Sequence, residues 1–495
     1  MNTPKYAAID LGAANGRVML GSFDGKNLRL EEIHRFPNSG VFIGNSLHWD
    51  FLRLWNEVLK GLKLAQERAG QSLHSIGLDT WGVDFGLLAD DDTLIGNPYH
   101  YRDRRTHGIF ESAFSLVPKE EIYAQTGLQF IGFNSLFQLL AMAQANAPQL
   151  SIARTFLNMP DLFNFFLTGQ KNNEFTISTT TQCYNPNKQE WCLDLLKAFG
   201  IPSEIFGEIT PPGTLLGKLL PNIAEEISLP AVPVVASAGH DTACAVAAVP
   251  SIDDGSIYIS SGTWSLMGIE LERPLITPES LAAGLSNEGG VENKIRFLKN
   301  ISGLWPVQEC RRQWNQGGKE YSYNDLTQLA AQAPAFRSLI MPNDIRFRAP
   351  NDMAAEIQAY CRETGQTMPV DKGAIIRCIL ESLALEYRRV AEQIDRITGK
   401  HFPTIHIIGG GTKNALLNQF VADATGRTVF AGPVEATVIG NVLVQAIAMG
   451  AISSLAEGRK IIRESFEVKV YEPANQGAWD AANITFHHLR AKTES

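Results

Sequence analysis

The sequence predicts an α/β protein of duplicated architecture, and three observations carry that reading. Strand-like and helix-like patterns alternate along the chain, as they do where helices cover a sheet. Two stretches share one layout: "KYAAIDLGAANGRVMLGSFDG" reads as a strand, a Gly/Asn turn and a second strand, and "GSIYISSGTWSLMGIELE" reads as a strand to Ile259, a turn Ser260–Thr263 and a strand from Trp264. Each opens roughly half of the chain. Between them, "VPSIDDGS" at 249–256 is a Pro/Asp/Gly linker and the candidate boundary. At 495 residues the chain is too long for one ordinary core, so two or three domains are expected.

The elements follow in order. "RLWNEVLKGLKLAQERAG" (53–70) spaces its apolar residues as a helix does and ends on glycine. "SIGLDTWGVDFGLL" (75–88) reads as a strand, a glycine-bearing turn and a strand. Ala231–Val249 is long and apolar, but its proline, histidine and aspartate argue against a membrane span and for a buried strand, a turn and a buried helix. A long amphipathic helix is predicted over 374–399. A strand, glycine turn and helix follow over 405–426, with Leu416, Leu417, Phe420, Val421 and Ala424 on the buried side. A last helix, about 476–491, is expected to return to the first domain.

Composition narrows the function. Hydrophobic residues make up 44% and charged residues 19%, a well-packed profile, and 43 basic against 52 acidic side chains leave a net charge of −9. That balance, with no long basic run, speaks against nucleic acid or an anionic membrane as partner. No long apolar segment precedes Asp10, so no signal peptide and a cytoplasmic setting are expected. The six cysteines show no CxxC pair and no zinc spacing, and read as core thiols. A bond between Cys361 and Cys378, on consecutive predicted helices, is conceivable.

No GxxxxGK[ST] and no GxGxxG after a strand occur. Three other glycine turns end predicted strands: Gly12–Gly16, Ser260–Thr263 and Gly409–Gly411. Each alone is ordinary turn chemistry, but three in one chain, two in equivalent hairpins, point to backbone N–H groups cradling phosphate. Asp10 ends the first strand, where a carboxylate either holds water around Mg²⁺ or bonds its own turn. Asp241 lies in the apolar run Ala231–Val249 and either serves chemistry or caps the helix that follows it. His240 reads as a ligand donor or as a satisfied buried histidine. Trp81 and Phe85 could wall a pocket or belong to the core. Asp84 and "YRDRRT" (101–106) could meet a polar ligand or form an ion-paired turn.

Longer stretches go further. "AIDLGAANGRVML" and "YISSGTWSLMG" are similar to the two phosphate motifs of the FGGY family of carbohydrate kinases. "GHDTACAV" resembles that family's catalytic segment, and "FLKNISGLWPVQE", "HIIGGGTKNALLNQFVADATG" and "AGPVEATVIGN" resemble its nucleotide-side lobe. "LDTWGVDFGLL", "YRDRRT", "FNSLFQL", "MPDLFNFFLTG" and "EFTISTTTQ" look like the sugar lobe of members that act on L-rhamnulose. The resemblance implies a duplicated actin-like (ribonuclease H-like) ATPase fold, two lobes with a catalytic cleft between them. It places an N-terminal lobe at 1–248, a C-terminal lobe at 249–465, and a helix at 466–495 returning to the first lobe. It implies phosphorylation of a ketose at O1, with Mg²⁺ and ATP as co-substrate, in a monomer or small homo-oligomer. L-Rhamnulose is the first expectation, and L-fuculose and D-xylulose are the alternatives. An actin-like ATPase with no sugar, or an inactive sugar sensor, is the rival reading.

Carried over by position, the resemblance makes Asp241 the general base. Gly82, His240, Asp241, Thr242 and Asn300 would touch the sugar, and Asp10 would hold the metal through water. Ala13, Ala14, Asn15, Gly16 and Arg17 would meet the ATP phosphates, and Thr263, Gln308 and Gly410 the nucleotide. The first turn reads "AANGR" where many relatives carry small hydroxyl residues, so backbone amides and Asn15 are left to do that work.

Overall fold

In the computed structural model of the chain, which describes residues 3–251, 255–318 and 320–493, the run Lys5–Leu11 is a strand covered on both faces, as its apolar core Tyr6–Ile9 requires. The chain divides into two units, Met1–Ile252 with Glu270–Leu298 and Ala436–Phe466, and Asp253–Ile269 with Lys299–Glu435 and Glu467–Ser495. Residues 252–254 of the predicted linker lie outside the described residues.

The first unit is built on a six-stranded sheet in the order Thr214–Lys218, Pro233–Ala236, Ser75–Thr80, Lys5–Leu11, Asn15–Phe23, Leu28–Pro37. Lys5–Leu11 and Asn15–Phe23 form the predicted hairpin, while Ser75–Thr80 lies parallel to Lys5–Leu11, and Pro233–Ala236 parallel to Ser75–Thr80. Thr214–Lys218 closes the row antiparallel. The helix Phe51–Ala69 buries Leu54, Val58, Leu62 and Ala65, one stripe at helical spacing, with Ile76 and Leu78 in the same core. Asp50 caps its start, and Gly70, with φ 63°, ends it in the left-handed conformation a glycine adopts without strain.

The second unit repeats the pattern. Ser256–Ser261 pairs antiparallel with Ser265–Leu271 and parallel with Thr404–Ile408, which is parallel to Thr428–Ala431, with Lys469–Tyr471 antiparallel beyond. Hairpin, parallel strand, parallel strand and antiparallel strand thus recur in one order. The helices Lys372–Thr398 and Ala415–Thr425 pack on one another in this unit, and each ends on a left-handed glycine, Gly399 and Gly426.

Two expectations are corrected. The C-terminal helix, Gln476–Thr493, does not return to the first unit; Trp479 is buried against Phe336 and Phe420 of the second. The stretches that do return are Glu270–Leu298 and Ala436–Phe466, so the second lobe is not the continuous 249–465. The physical reason is the helix Ala436–Ala448, whose polar side chains complete buried groups of the first sheet. Asn441 Nδ2 donates to Asp79 Oδ2 at 2.6 Å, Ser75 Oγ donates to Gln445 Oε1 at 2.7 Å, and Gln445 Nε2 donates to the Ala7 carbonyl at 3.1 Å. Buried polar groups left without these partners would cost about 1–3 kcal/mol each.

All six cysteines are buried free thiols; Cys361 and Cys378 share a hydrogen bond rather than a disulfide. Among the described residues no helix is long and apolar enough to cross a membrane.

The helix Ala436–Ala448 approaches the helix Asp241–Ala247 so closely that a Cβ on Gly440 would stand 1.8 Å from the Cys244 carbonyl oxygen. Gly440→Ala is expected to lower the urea midpoint, with the m-value unchanged, by an amount equivalent to at least the ~1–3 kcal/mol of unfolding free energy that overpacking costs, because the obstacle is backbone. An unchanged midpoint would refute this packing.

Candidate functional site

The first unit gathers carboxylates at the C-terminal ends of its three parallel strands, where open α/β sheets bind ligands. Asp10 and Asp79 stand opposite each other in the register of Lys5–Leu11 and Ser75–Thr80. Asp241 follows the strand Pro233–Ala236 and opens the helix Asp241–Ala247. Asp10 forms an ion pair with Arg17 from the returning strand of the hairpin. Burial, then the Asp10 charge, drives the Asp79 carboxyl well above the usual range; among the described residues its buried Oδ1 has no hydrogen-bond partner. Burial also raises Asp241, a shift opposed by His240 and reinforced by Asp10. Even so, 32% of the Asp241 side-chain surface stays accessible.

The capping reading of Asp241 fails: the residue at the cap position is His240, and the Asp241 carboxylate accepts from Thr242 Oγ1 at 3.1 Å. His240 Nε2 lies 3.3 Å from Asp241 Oδ1. Gly82 lies beside the same ring nitrogen, where a Cβ would meet His240 Nε2 and Thr180 Oγ1 at 3.4 Å. The next residue, Val83, has φ 69°, a conformation that costs a β-branched residue strain. Its N–H donates to Thr180 Oγ1 at 3.2 Å, and its carbonyl accepts from Ser135 Oγ at 2.5 Å. Gly82, His240, Asp241 and Thr242 are therefore one cluster.

The backbone under this cluster is fastened by groups the sequence reading passed over. Thr80 N donates to the Gly239 carbonyl at 2.9 Å, Gly239 N donates to Glu174 Oε2 at 2.9 Å, and His240 N donates to Thr176 Oγ1 at 3.2 Å. Glu174 is wholly buried, and burial pushes its carboxyl up to about 7. Arg296 and Glu288, both buried, flank the far side of the imidazole. Glu174 lies in the quoted "EFTISTTTQ", so a buried acid in an apolar, hydroxyl-rich run was the available signal; Arg296 offered none.

Asp84 is no ligand donor. It is fully buried and accepts from Trp49 Nε1 at 2.6 Å, Trp81 Nε1 at 2.9 Å, Gln138 Nε2 at 2.9 Å and Tyr101 N at 3.1 Å. Trp81 and Phe85 belong to the core, and Asp103 of "YRDRRT" accepts from Leu47 N at 2.7 Å.

At the first glycine turn the carbonyls of Gly12, Ala14 and Asn15 are taken by Asn38 Nδ2, Asn38 N and Gly12 N. No hydrogen bond within the described chain uses the N–H of Ala13 or Ala14. Asn15 Oδ1 accepts from Arg35 Nη1 at 2.9 Å, which leaves its Nδ2 amide and the backbone N–H groups as the turn's donors. Gly16 is buried and packs on Phe36.

In the second unit, Thr263 Oγ1 donates to Gln308 Oε1 at 3.0 Å, joining two predicted residues, and Trp305 N donates to the Thr263 carbonyl at 3.2 Å. The glycine turn after Thr404–Ile408 lies against Ser261: a Cβ on Gly411 would stand 2.0 Å from Ser261 Oγ, whereas one on Gly410 would meet nothing within 4 Å. Gly410 thus borders open space beside the second hairpin. Asn300 lies on the strand Ile295–Ile301, in its second-unit part.

The N-terminal domain profile of the FGGY family of carbohydrate kinases matches residues 5–248, and the C-terminal domain profile matches 257–449. The rhamnulokinase of Bacteroides thetaiotaomicron is 47% identical over 481 residues, 97% of this chain and 98% of its own. That of Oceanobacillus iheyensis is 43% identical over 464 residues, 94% and 97% of the two chains. Ligand-bound xylulose kinase from Lactobacillus acidophilus matches with a TM-score of 0.82 at 16% identity, over 99% of each chain. Plasmodium falciparum glycerol kinase with ADP gives 0.77 at 16% identity, over 99% and 98%. These structural likenesses show the fold, the actin-like α/β one anticipated above.

Glu174 makes the foundation of this site pH-sensitive. Its folded pKa of about 7 exceeds the ordinary 4.5, so between those values the folded state keeps a proton that the unfolded state has lost. Its contribution is therefore full at low pH and lost as pH rises towards 7. Wild type should lose stability relative to Glu174→Gln across that window, by on the order of a few kcal/mol, in urea unfolding followed against pH. A difference that stays constant with pH would overturn this.

Proposed function

The chain belongs to the FGGY family of carbohydrate kinases, and from that premise we propose that it transfers the γ-phosphoryl group of ATP to the O1 hydroxyl of L-rhamnulose. The substrate rests on one observation, the 47% identity along 97% of the chain to a relative named rhamnulokinase. The products are L-rhamnulose 1-phosphate and ADP.

Phosphoryl transfer asks a protein to align the acceptor, balance charge and receive one proton. Asp241 is the proposed general base. A sugar hydroxyl is too weak an acid to be ionised beforehand, so Asp241 orients it and takes its proton as the new P–O bond forms and the bond to the β-phosphate oxygen breaks. Its accessible carboxylate beside His240 supports this role. Gly82, His240 and Thr242 are assigned to the sugar, as is Asn300. The N–H groups of the turn Ala13–Gly16, with Arg17, are assigned to the phosphates, and Thr263, Gln308 and Gly410 to the nucleotide.

Magnesium supplied with ATP would screen phosphate charge. Among the described residues no three carboxylate, histidine or cysteine side chains form a ready ligand set, but Asp10 and Asp241 offer the hard oxygen donors that suffice for a cation held largely by water and phosphate. Asp10 would hold it through water. The reading includes a cytoplasmic setting, with which six cysteines kept as thiols agree.

ADP release measured with Mg-ATP against a panel of ketoses tests the whole reading. L-Rhamnulose should be preferred, and Asp241→Asn should lose about 10²–10⁴-fold in turnover while staying folded. Because the base works ionised and its carboxyl is raised, kcat/KM should fall with decreasing pH at a point above the ordinary 3.8. Preference for another ketose would replace the sugar and keep the base. ADP release indifferent to every sugar and to Asp241→Asn would end the proposal.

A further inference from the structure

Arg296 is wholly buried and has no part in the roles assigned above. Its Nε donates to the Gly289 carbonyl at 2.7 Å, its Nη2 lies 3.2 Å from Glu288 Oε2, and the same Nη2 lies 3.1 Å from His240 Nδ1. A guanidinium has five N–H donors and no acceptor. The contact with His240 is attractive only if Nδ1 presents its lone pair, which leaves the ring proton on Nε2. Glu288 Oε2 is also near Nδ1, at 3.5 Å, and alone would draw a proton there; the shorter arginine contact opposes it. The proton then sits on the ring nitrogen nearer Asp241: Nε2 lies 3.3 Å from Asp241 Oδ1, an electrostatic contact rather than an aligned hydrogen bond.

We propose that Arg296 is a positioning residue that fixes the Nε2–H tautomer of His240, and through that N–H orients the Asp241 carboxylate. The role of Asp241 rests on the proposed function; the tautomer does not. The opposite tautomer turns a lone pair towards the carboxylate and repels it. A residue remote from the sugar hydroxyl thereby controls how often the base is aimed at it. Four titratable groups surround this ring: Arg296 and Glu288 at Nδ1, Asp241 at Nε2, and Glu174 behind the Gly239 amide.

The direct test is ¹⁵N NMR of the full chain carrying labelled histidine, with the His240 signals identified by their loss in His240→Gln. The wild type should show a pyridine-type Nδ1 and a protonated, pyrrole-type Nε2. Arg296→Met should shift His240 to a tautomer mixture or to Nδ1–H and lower kcat about tenfold or more, with a smaller change in sugar KM. Arg296→Lys, which keeps a donor, should restore the tautomer and most of kcat. If the single Met variant does not fold, Arg296→Met with Glu288→Gln removes the stranded carboxylate and carries the same expectation. A proton on Nδ1 in the wild type, or an unchanged tautomer in the Met variant whatever its kcat, would overturn the proposal. Failure of the wild type to phosphorylate any ketose would sink the proposed function and leave the ring shifts as they are.

Discussion

The candidate site depends on a buried carboxylate that touches no proposed ligand. Glu174 accepts from Thr176 N at 2.9 Å, Thr176 Oγ1 at 2.7 Å, Ile177 N at 3.1 Å and Gly239 N at 2.9 Å. The first three donors make it tolerable to bury; the fourth is what it does with its position. By holding Gly239 it fixes where the chain turns from the strand Pro233–Ala236 into the helix Asp241–Ala247. A Cβ on Gly239 would stand 2.9 Å from the same oxygen, so the approach requires glycine. Asp241 needs no contact with Glu174 to depend on it, because its Cα is placed by that turn.

The same strand pattern in both units gives the duplication a physical meaning. A hairpin beside a parallel strand leaves two chain turns at one sheet end, and both units place proposed binding residues there. In the first the neighbouring turns carry Ala13–Arg17 and Gly82; in the second they carry Thr263 and Gly410. The two have diverged in what surrounds the turn. Around the first the carbonyls are tied down and amides remain, while around the second a threonine hydroxyl is joined to Gln308.

Much of this could be read from the sequence because it is local. Hairpins, glycine-ended helices and an acid in an apolar run are written within some twenty residues, whereas the grouping of Gly82 with His240–Thr242 was implied only by the family resemblance. What could not be read was long-range. Arg296 reaches His240 across 56 positions and Glu174 reaches Gly239 across 65, and neither residue type signals its partner. Asp84 misled for the same reason: its chemistry suits a ligand, and only the fold shows two indoles already bonded to it. The last helix misled because its apolar face fits any core, and only packing shows that Trp479 meets Phe336 and Phe420.

The return of Ala436–Ala448 to the first sheet has a consequence for the chain's birth. Asn441 donates to Asp79 across 362 positions, and a Cβ on Gly21 would collide with Val442, so this helix is a fitted cover and not a late ornament. A ribosome that has released the first half of the chain has made every strand of that sheet but not its lid. At about 5–20 residues per second, the sheet waits on the order of ten to forty seconds with one apolar face open. The unit begun first thus stays unfinished until nearly the whole message has been translated, and a chain truncated late in its reading frame forfeits the earliest-made sheet.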